Sequence, residues 1–497
     1  MAKSTPTKNS ILNLNPNHLF TVFPAKNPRC SNPQPPSTHA FFFFTLVLAS
    51  VLCFVSVNHF SNTPNISIIT RTDHTGSYTP IFVASLASVF EDPSNGEKDG
   101  LVSLDTTAMV PLPPRSAVGE FWEQPDGEGY VPCLDFSLEY RRRSGVIANE
   151  KTRFLVVVVS GGLFEIRNQI VDAVVIARIL EASLVLPVLN GDESEFSDIF
   201  DVQQFRETLK ADIRVVSSLP STHLVSWQTL ENQIPHNVHP FWIRARFFKK
   251  LNEEGSLVLT GIESKLSRNL PPDLQKLRCK VAFHALKFAK PIRELGNRIA
   301  RRMWIEGPYV AIHLSLQKDV WVRTGCLTGL GSDYDTIINA ERESNPEFPA
   351  TRSNISCPLN ALEAARLLKE SGAPENSQVY IAGGEPFGGD RAILPLKSEF
   401  FNVVTKEMLA RNDELNPYKN RTAILTAIDY TVSLSSDVFL PSYDGHMVRA
   451  LQGHRAYVGH RKIVTMSKNF MGQPQLRAKR RDRDVITFPV PECMCKH

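Results

Sequence analysis

The sequence predicts an α/β fold in which two Rossmann-like, doubly wound domains face a cleft, behind a transmembrane helix and a flexible stem. Three observations predict it. Residues 40–57 carry no charge, the segment after them lacks a sustained apolar period, and two separate series of buried strands and helices begin at Phe154 and Tyr309. A chain of 497 residues with 42% hydrophobic residues is long enough for two or three domains with cores of their own.

The N-terminal residues 1–39 are predicted to be a cytosolic tail and residues 40–57 a transmembrane anchor. The tail contains basic residues from Lys3 to Arg29 but no acidic one, and the positive-inside bias keeps such an end in the cytosol. The uncharged run covers about 27 Å as a helix, enough for a thin bilayer. A cleaved signal peptide is the competing interpretation, but the run starts late and lacks a small-residue cleavage site. We therefore expect one N-terminal helix to hold the protein in a membrane as a type II anchor.

Residues 58–130 form the predicted stem. They are rich in Ser, Thr, Pro, Asp and Gly, a composition that buries too little apolar surface to offset the entropy of ordering. We expect a disordered spacer that holds the globular part away from the membrane.

Two features fit a lumenal location for everything after the anchor. Sequons for N-glycosylation begin at Asn65, Asn354 and Asn420. Six cysteines also follow the anchor: Cys133, Cys279, Cys326, Cys357, Cys493 and Cys495. An even number fits disulfide bonds in an oxidising compartment, although the sequence leaves their pairing open. Zinc is the rival interpretation, but the spacing of the last two cysteines is wrong for a metal knuckle.

The first predicted domain covers residues 131–303. Phe154–Val159 is a continuous apolar run typical of a central parallel strand, and Gly161 and Gly162 follow it. A buried helix over Asn168–Leu180 and a strand over Ser183–Val188 complete a βαβ unit. Helices around Leu274–Phe288 and Pro291–Met303 are predicted to close the domain. Because a glycine turn before a helix N-terminus binds phosphate in α/β folds, the two glycines are candidate nucleotide contacts.

The second predicted domain covers residues 304–497. Its predicted elements alternate in the same way: strand Tyr309–Leu316, helix Pro358–Glu370, strand Gln378–Ala382, helix Thr422–Leu434 and strand Asp437–Pro441. Ligands of such folds bind at the carboxyl ends of the strands. By position the candidate binding residues are Glu385, Asp437, Ser442 and Asp444, whereas His313 and Ser315 lie inside the predicted strand Tyr309–Leu316 and are candidates because of the motif to which they belong.

Each of these candidates has an alternative role. His313 is equally typical of a satisfied structural histidine at a strand end, and Glu385 of an exposed loop acid beside two glycines. A carboxylate at position 385 can accept from the N–H edge of guanine. Amides and hydroxyls near Ser442 can bind a phosphate at the start of the next helix, whereas His454 and Arg455 are predicted to pack the end of that helix.

Several ordered motifs resemble a known family. They are Ser160–Gly162, Arg167–Arg178, Phe196–Asp201, His313–Leu314, Lys318–Cys326, Ser436–Phe439 and Gly453–Arg455. Together they make the chain similar, from Cys133 to Cys495, to the plant O-fucosyltransferase-like family. The resemblance implies the two-lobed GT-B architecture of many glycosyltransferases and a Golgi-membrane enzyme with its catalytic region in the lumen.

The resemblance also implies the chemistry. GDP-fucose is the expected donor substrate, no cofactor or metal is expected, and the acceptor is a hydroxyl of a protein or a cell-wall polysaccharide. Transfer is expected to invert the anomeric carbon as the nucleoside diphosphate leaves. Charge then builds on the pyrophosphate, so the site needs preorganised donors and cations. The charge balance of 55 basic against 51 acidic residues adds no reason to expect a nucleic-acid partner.

Two departures from the family pattern fall on expected site residues. Phe164 stands where the first loop usually has Asn, and Ser315 stands where the His-Leu-Arg motif has the Arg that stabilises the leaving diphosphate. A hydroxyl cannot replace the charge and bidentate geometry of a guanidinium, and such a loss costs about 3 kcal/mol of transition-state stabilisation. Arg323 and Asp319 are the remaining catalytic candidates, with Arg323 presented by a loop that folds back from the strand end.

Three functions remain open at this stage. The first is a fucosyltransferase, and the second is a rhamnosyltransferase that acts on pectin. The third is a catalytically degenerate family member that serves as a binding or scaffold protein. Restoring Asn at Phe164 and Arg at Ser315 distinguishes the third from the others.

Overall fold

In this computed structural model the described residues are 119–125, 127–190, 195–221, 230–231, 234–262, 265–267, 269–345, 357–411, 413–443, 445–459, 461–464, 466–468, 474–476 and 493–496. They all fall in one compact unit, Leu101–His497. The predicted tail, the predicted anchor and the sequons at Asn65 and Asn354 lie outside them. Among the helices formed by the described residues, none combines the length and the apolar character needed to span a bilayer.

The first lobe contains strands and helices in alternation. Its strands are β1 (Tyr130–Pro132), β2 (Phe154–Ser160), β3 (Ser183–Val185), β4 (Val188–Asn190), β5 (Val215–Val216), β6 (Leu230–Glu231) and β7 (Ser256–Thr260). Its helices are α1 (Leu138–Ala148), α2 (Leu163–Leu180), α3 (Phe196–Ile199), α4 (Val202–Leu209), α5 (Pro240–Glu254), α6 (Pro272–Lys280) and α7 (Lys290–Ile305).

The sheet of the first lobe is parallel and centred on β2. Its strand order is β5-β3-β2-β7-β6, with β4 paired to the far end of β2. Val157 and Val159 on β2 are fully buried, as expected for a strand covered on both faces. Successive strands are added first on one side of β2 and later on the other. The carboxyl end of β2 is therefore a topological switch point, where folds of this kind bind ligands.

The second lobe repeats this plan. Its strands are β8 (Tyr309–His313), β9 (Gln378–Ala382), β10 (Asn402–Thr405) and β11 (Val438–Pro441), followed by the hairpin strands β12 (Met466–Lys468) and β13 (Pro474–Leu476). Its helices are α8 (Lys318–Thr324), α9 (Ser332–Ser344), α10 (Ala361–Glu370), α11 (Asp390–Glu399), α12 (Lys406–Leu409), α13 (Thr422–Ser435) and α14 (His446–Tyr457). The parallel sheet has the order β10-β9-β8-β11, so its switch point lies at the carboxyl end of β8.

The two lobes share one apolar core. Tyr309 and Ala311 of β8 belong to the same buried cluster as β2 and α2, whereas Val310 and Ile312 face a second cluster on the other side of the sheet. Helix α7 crosses from the first lobe onto α13, where a Cβ at Gly296 would come within 2.7 Å of Thr431 Cβ. The absence of a side chain at Gly296 therefore lets the two helices approach closely.

The C-terminal strand returns to the first lobe. Strand β14 (Met494–Lys496) pairs antiparallel with β1, and disulfides join Cys133 to Cys495 and Cys279 to Cys493. A third disulfide, Cys326–Cys357, lies in the second lobe. The predicted disulfides are thus confirmed. The last strand, however, belongs with residues 130–132 rather than with the predicted second domain 304–497.

The segment before β1 is packed as well. Phe121, in a short 3-10 turn (Glu120–Trp122), is buried, and its carbonyl accepts a hydrogen bond of 2.6 Å from Lys462 Nζ. Gln124 Nε2 donates to the Asp437 carbonyl at 3.2 Å. Residues 119–125 therefore pack on the second lobe, although the prediction placed them in a disordered stem that extends to residue 130.

Several predicted elements need new bounds. The strand predicted over Ser183–Val188 is two strands, because Pro187 cannot donate to the ladder between them. The strand predicted over Tyr309–Leu316 ends at His313, and a π-helical turn (Val281–Ala285) follows α6 within the helix predicted over Leu274–Phe288. The two doubly wound parallel sheets themselves are confirmed.

Candidate functional site

The carboxyl edge of the second sheet brings three loops together. Ser442 N donates to the His313 carbonyl at 3.1 Å, which joins the ends of β11 and β8, and Leu314 N donates to the Ala382 carbonyl at 3.0 Å, which joins β8 to β9. Two predicted site residues, His313 and Ser442, are therefore neighbours. Ser315 follows two residues after His313 and is also buried.

Three buried polar atoms at this edge have no hydrogen-bond partner among the described residues. They are His313 Nδ1, Gln317 Oε1 and Ser442 Oγ. Buried polar groups are nearly always paired, because an unpaired one costs about 1–3 kcal/mol. Burial also lowers the pKa of His313 to about 4, so the ring is neutral near pH 7. A concentration of unpaired polar atoms at a switch point is typical of a ligand site.

Two glycines let the loop after β9 approach the loop after β8. Gly383 has a φ of +149°, and a Cβ there would lie 2.4 Å from the Leu314 carbonyl oxygen. A Cβ at Gly384 would lie 2.7 Å from Gln317 Nε2. A side chain at position 383 would push the two loops apart, so Gly383 is required by the close backbone contact, whereas one at position 384 would displace the Gln317 side chain.

An ion pair lies beneath the same loops. Lys406 Nζ is 3.0 Å from Asp429 Oδ2, and both side chains are about 4% exposed. Burial opposes the charge on Lys406, but Asp429 and Glu407 outweigh it and raise the pKa of the lysine above its ordinary value. The Tyr380 hydroxyl donates to Asp429 Oδ1 at 2.6 Å. The second sheet edge thus rests on a charged network away from water.

The corresponding edge of the first sheet is occupied by the protein itself. Gly161 has a φ of +103°, and α2 begins two residues later. Glu165 folds back so that its Oε2 accepts from Gly162 N at 2.9 Å. A carboxylate at a helix N-terminus satisfies the free amides and the helix dipole. Glu165 therefore competes with a phosphate for the Gly162 amide, while Gly161 and Gly162 themselves are exposed and stay predicted contacts.

The two edges meet through Glu165 and His446. Glu165 Oε1 lies 3.8 Å from Nε2 of His446, the first residue of α14. Asn168 Nδ2 lies 3.4 Å from the other ring nitrogen of His446. The N-termini of α2 and α14 therefore face each other across the junction of the lobes.

Phe164 does not point into an open site. It is 4% exposed, and its ring centroid lies 4.9 Å from that of Tyr430 on α13. Burying an aromatic ring contributes to stability through area and packing. The residue that replaces the family's Asn is therefore part of the core between the lobes.

The position of Asp437 corrects its predicted role. This carboxylate is buried, and its Oδ2 accepts from Tyr309 N at 2.9 Å. Tyr309 begins β8, so Asp437 lies at the amino edge of the sheet, opposite His313 and Ser442. Arg455 donates to backbone carbonyls there, including that of Asp437 at 3.0 Å. Asp437 joins strands at this edge, and the predicted packing role of Arg455 is confirmed.

The catalytic candidates Asp319 and Arg323 lie on a helix. The segment predicted to be a loop that folds back is helix α8 (Lys318–Thr324) in the structure. Gln317 is the N-cap residue of this helix, and Gly325 ends it with a left-handed φ of +64°. The side chains of Asp319 and Arg323 are both exposed. The segment is therefore a helix rather than a loop, and the catalytic roles of Asp319 and Arg323 stay predictions.

Two other predicted residues have different outcomes. Glu385 follows β9 in the loop after Gly384 and is exposed, which leaves its carboxylate accessible to a ligand. Asp444 lies outside the described residues. Among the described residues, no group of three or more His, Cys, Asp or Glu side chains is arranged so that it could hold a metal ion.

Comparison with known proteins now gives the family. A sequence profile for GDP-fucose protein O-fucosyltransferase matches residues 154–458. The chain belongs to this family. O-fucosyltransferase 37 from Arabidopsis thaliana is 55% identical over 92% of this chain and 86% of its own, and O-fucosyltransferase 24 from the same plant is 49% identical over 76% of this chain and 72% of its own. As a member of the O-fucosyltransferase family, the protein is a glycosyltransferase enzyme.

A solved structure is similar to this O-fucosyltransferase-like chain at lower identity. POFUT1 in complex with GDP matches with a TM-score of 0.41 and 13% identity, over 63% of this chain and 99% of that one. The family resemblance inferred from the motifs is confirmed by the sequence matches.

Sequence reasoning missed the partners that organise the two edges. Neither Glu165 nor Lys406 was among the residues predicted from the sequence. One signal was present for Asp429, which is the single charged residue in α13. A lone carboxylate in an apolar helix has to find a buried partner, but the sequence does not say which cation supplies it.

Proposed function

We propose that this glycosyltransferase binds GDP-fucose at the carboxyl edge of the second sheet and transfers fucose to a hydroxyl of a protein or cell-wall glycan. The observation that carries the proposal is the set of unpaired buried atoms on His313, Gln317 and Ser442 at the β8 switch point. The family profile supplies the donor class.

The diphosphate is assigned to Ser442 and the start of α14. Ser442 is fully buried with an unpaired hydroxyl, and α14 begins four residues later without a hydrogen bond from the side chain of its N-cap residue, Gly445. A hydroxyl and a helix N-terminus are good donors to a phosphate. Glu385, exposed after β9, is assigned to the N–H edge of guanine. The neutral ring of His313 accepts or donates one hydrogen bond without adding charge.

The first lobe is assigned to the acceptor side. Because the Gly162 amide already donates to the Glu165 carboxylate, we assign no phosphate to the N-terminus of α2. The cleft between the lobes then holds the donor on one wall and the acceptor hydroxyl on the other, as in GT-B enzymes. The hydroxyl attacks the anomeric carbon, the bond to the diphosphate oxygen breaks, and the configuration inverts. The proposal includes no metal ion in this step.

A second candidate function is favoured by Ser315. Where the family has an arginine, this chain has a buried serine, and loss of a cation slows transfer about a hundredfold or more. A protein that binds the GDP-sugar but transfers it slowly would act mainly as a binding protein. The two candidates share the donor site and differ in turnover.

GDP binding and GDP release test the donor site. The full-length chain is titrated with GDP by calorimetry, and GDP release from GDP-fucose is followed with protein and glycan acceptors. Ser442→Ala is expected to weaken GDP binding about tenfold, because it removes a hydrogen bond to a charged group. The matched control is Ser377→Ala. Ser377 is another buried serine with an unpaired hydroxyl, and it precedes β9 at the amino edge of the same sheet.

The outcome is read from the pair of variants. Equal loss of GDP affinity in both would mean that the effect is structural. Absence of GDP binding by the unchanged protein would overturn the donor site itself.

We also propose that the protein is anchored in the Golgi membrane with its catalytic region in the lumen. Support comes from the uncharged run at residues 40–57, from the three disulfides and from the exposed position of Asn420. Treatment of the protein from plant cells with an endoglycosidase tests the topology. A mobility shift that Asn420→Gln reduces is expected, and an unglycosylated protein would contradict a lumenal location.

A further inference from the structure

The Lys406–Asp429 ion pair has no part in the donor contacts proposed above. Both residues are buried, with 3% of each residue's surface exposed. They belong to different helices, α12 and α13. Burying such a pair is weak evidence for stability, because the cost of removing both charges from water is similar to their attraction. Because the pair itself contributes little net stability, its role is inferred from the groups to which it forms hydrogen bonds.

Both charges bind the same glycine. Asp429 Oδ2 accepts from Gly383 N at 3.2 Å, and Lys406 Nζ donates to the Gly383 carbonyl at 2.8 Å. The peptide groups on both sides of the Gly383 Cα are thus held by one ion pair. Hydrogen bonds to charged groups are stronger than those between neutral groups, which makes this a firm anchor for one residue.

Gly383 is the point where the loop after β9 contacts the loop after β8. A Cβ on Gly383 would lie 2.4 Å from the Leu314 carbonyl oxygen, and a Cβ on Gly384 would lie 2.7 Å from the Gln317 side chain. A shift of this glycine by even a fraction of an ångström therefore moves residues 314–317 or opens a gap beside them. That segment contains Ser315 and the unpaired Gln317 Oε1.

We infer that Lys406 and Asp429 are positioning residues, which fix Gly383 so that the loops after β8 and β9 form the donor site. The inference rests on the donor site of the proposed function. Neither residue touches the donor. Their removal leaves the sheet in place but lets the Gly383 loop move, and a small misplacement of a binding loop is enough to weaken binding.

The test replaces the pair without leaving one charge unpaired. Lys406→Met with Asp429→Leu substitutes apolar side chains of similar size, an exchange that is often neutral or stabilising for a buried ion pair. We expect the melting temperature of the full-length protein to fall modestly, because the Tyr380 hydroxyl and the Gly383 peptide groups lose their partners, while the affinity for GDP falls about tenfold. In the transfer assay the KM for GDP-fucose should rise more than kcat falls. The single variant Lys406→Arg, which keeps a cation beside Asp429, should retain most of the affinity for GDP.

The matched control is Lys369→Met. Lys369 forms an ion pair of 2.6 Å with Glu399 on the surface of the same lobe, and its loss should leave GDP affinity unchanged. If the unchanged protein binds GDP and the double variant binds it equally well, the positioning role is overturned alone. If the unchanged protein does not bind GDP, the donor site and the positioning role both fail. A lower melting temperature with full GDP affinity would show a purely structural pair.

Discussion

The two switch points of this molecule, at the ends of β2 and β8, follow the same backbone plan but differ in what fills them. At the end of β2, the Glu165 carboxylate binds the free amide of Gly162, and Phe164 is packed against Tyr430. At the end of β8, the buried atoms of His313, Gln317 and Ser442 have no partner within the described residues. Topology therefore marks where a ligand can bind, and the side chains decide which of two equivalent places is used.

The largest expected effect tests whether Phe164, at the carboxyl edge of the first sheet, is part of the hydrophobic core. Phe164→Asn restores the amide that the family pattern has there, but it removes a ring that is 4% exposed. We expect a loss of about 4 kcal/mol in the free energy of unfolding, because a buried aromatic is lost and a polar group is buried. Urea denaturation measures it. Phe241→Asn, at a position that is 79% exposed, should be close to neutral.

If Phe164→Asn leaves the free energy of unfolding unchanged, the proposed difference between the two sheet edges is contradicted. Such a result would mean that the first edge tolerates the amide as a ligand-binding site does.

The next effect tests the second edge by restoring its missing cation. Ser315→Arg is expected to raise the rate of fucose transfer about a hundredfold, equivalent to about 2.7 kcal/mol of transition-state stabilisation. Ser315→Lys should give a smaller gain, because an ammonium does not bind a phosphate in bidentate fashion. GDP release with an acceptor present is the measurement. If neither substitution increases the rate of transfer, the proposed position of the diphosphate at the carboxyl edge of the second sheet is contradicted.

The third effect concerns pH. The pKa of His313 is lowered by burial from 6.5 to about 4, so between these values the unfolded chain binds a proton that the folded protein does not. Stability therefore falls as the pH decreases from about 6.5 to 4. Between pH 7 and 5 this histidine should account for about 2 kcal/mol of lost stability.

Urea denaturation of the protein and of His313→Asn at both pH values checks this. The variant should lose about 2 kcal/mol less than the unchanged protein. The buried His284 and His454, whose pKa values burial also lowers, are present in both proteins and cancel. Equal losses would contradict a neutral, buried His313.

The smallest effect separates a cap from a ligand contact. Glu165→Ala should cost about 1 kcal/mol of stability and leave GDP affinity unchanged, because the carboxylate caps α2. Glu363→Ala is the matched control, since Glu363 Oε2 accepts from Asn360 N at 3.0 Å at the start of α10. A change in GDP affinity for the first variant only would place the nucleotide at the first edge.

The sequence predicted the regular parts of this fold well. The apolar run at β2 and the strand Gln378–Ala382 were found because buried parallel strands are continuously apolar, and β9 has the same bounds as predicted. Alternating strands and helices were enough to predict two doubly wound sheets. The start of α2 was placed five residues late, since it depends on the fold-back of one carboxylate.

The site was predicted less completely. Ser442 was identified because polar residues at the carboxyl ends of strands mark the ligand edge, whereas His313 was identified from the family motif that contains it. Asp437 was included by the same pattern, but it precedes its strand and so lies at the other edge. Lys406 was missed because its partners, Asp429 and Gly383, are distant in sequence and no local pattern records such a contact.

The return of β14 to β1 has a consequence for biosynthesis. Cys279 and Cys493 are separated by 214 residues, and Cys133 and Cys495 by 362. As the chain emerges from the ribosome, Cys133 and Cys279 cannot form these disulfides until Cys493 and Cys495 have been synthesised. During that interval they are open to mispairing with Cys326 or Cys357. The two disulfides that close the first lobe can therefore form only after both sheets have been synthesised.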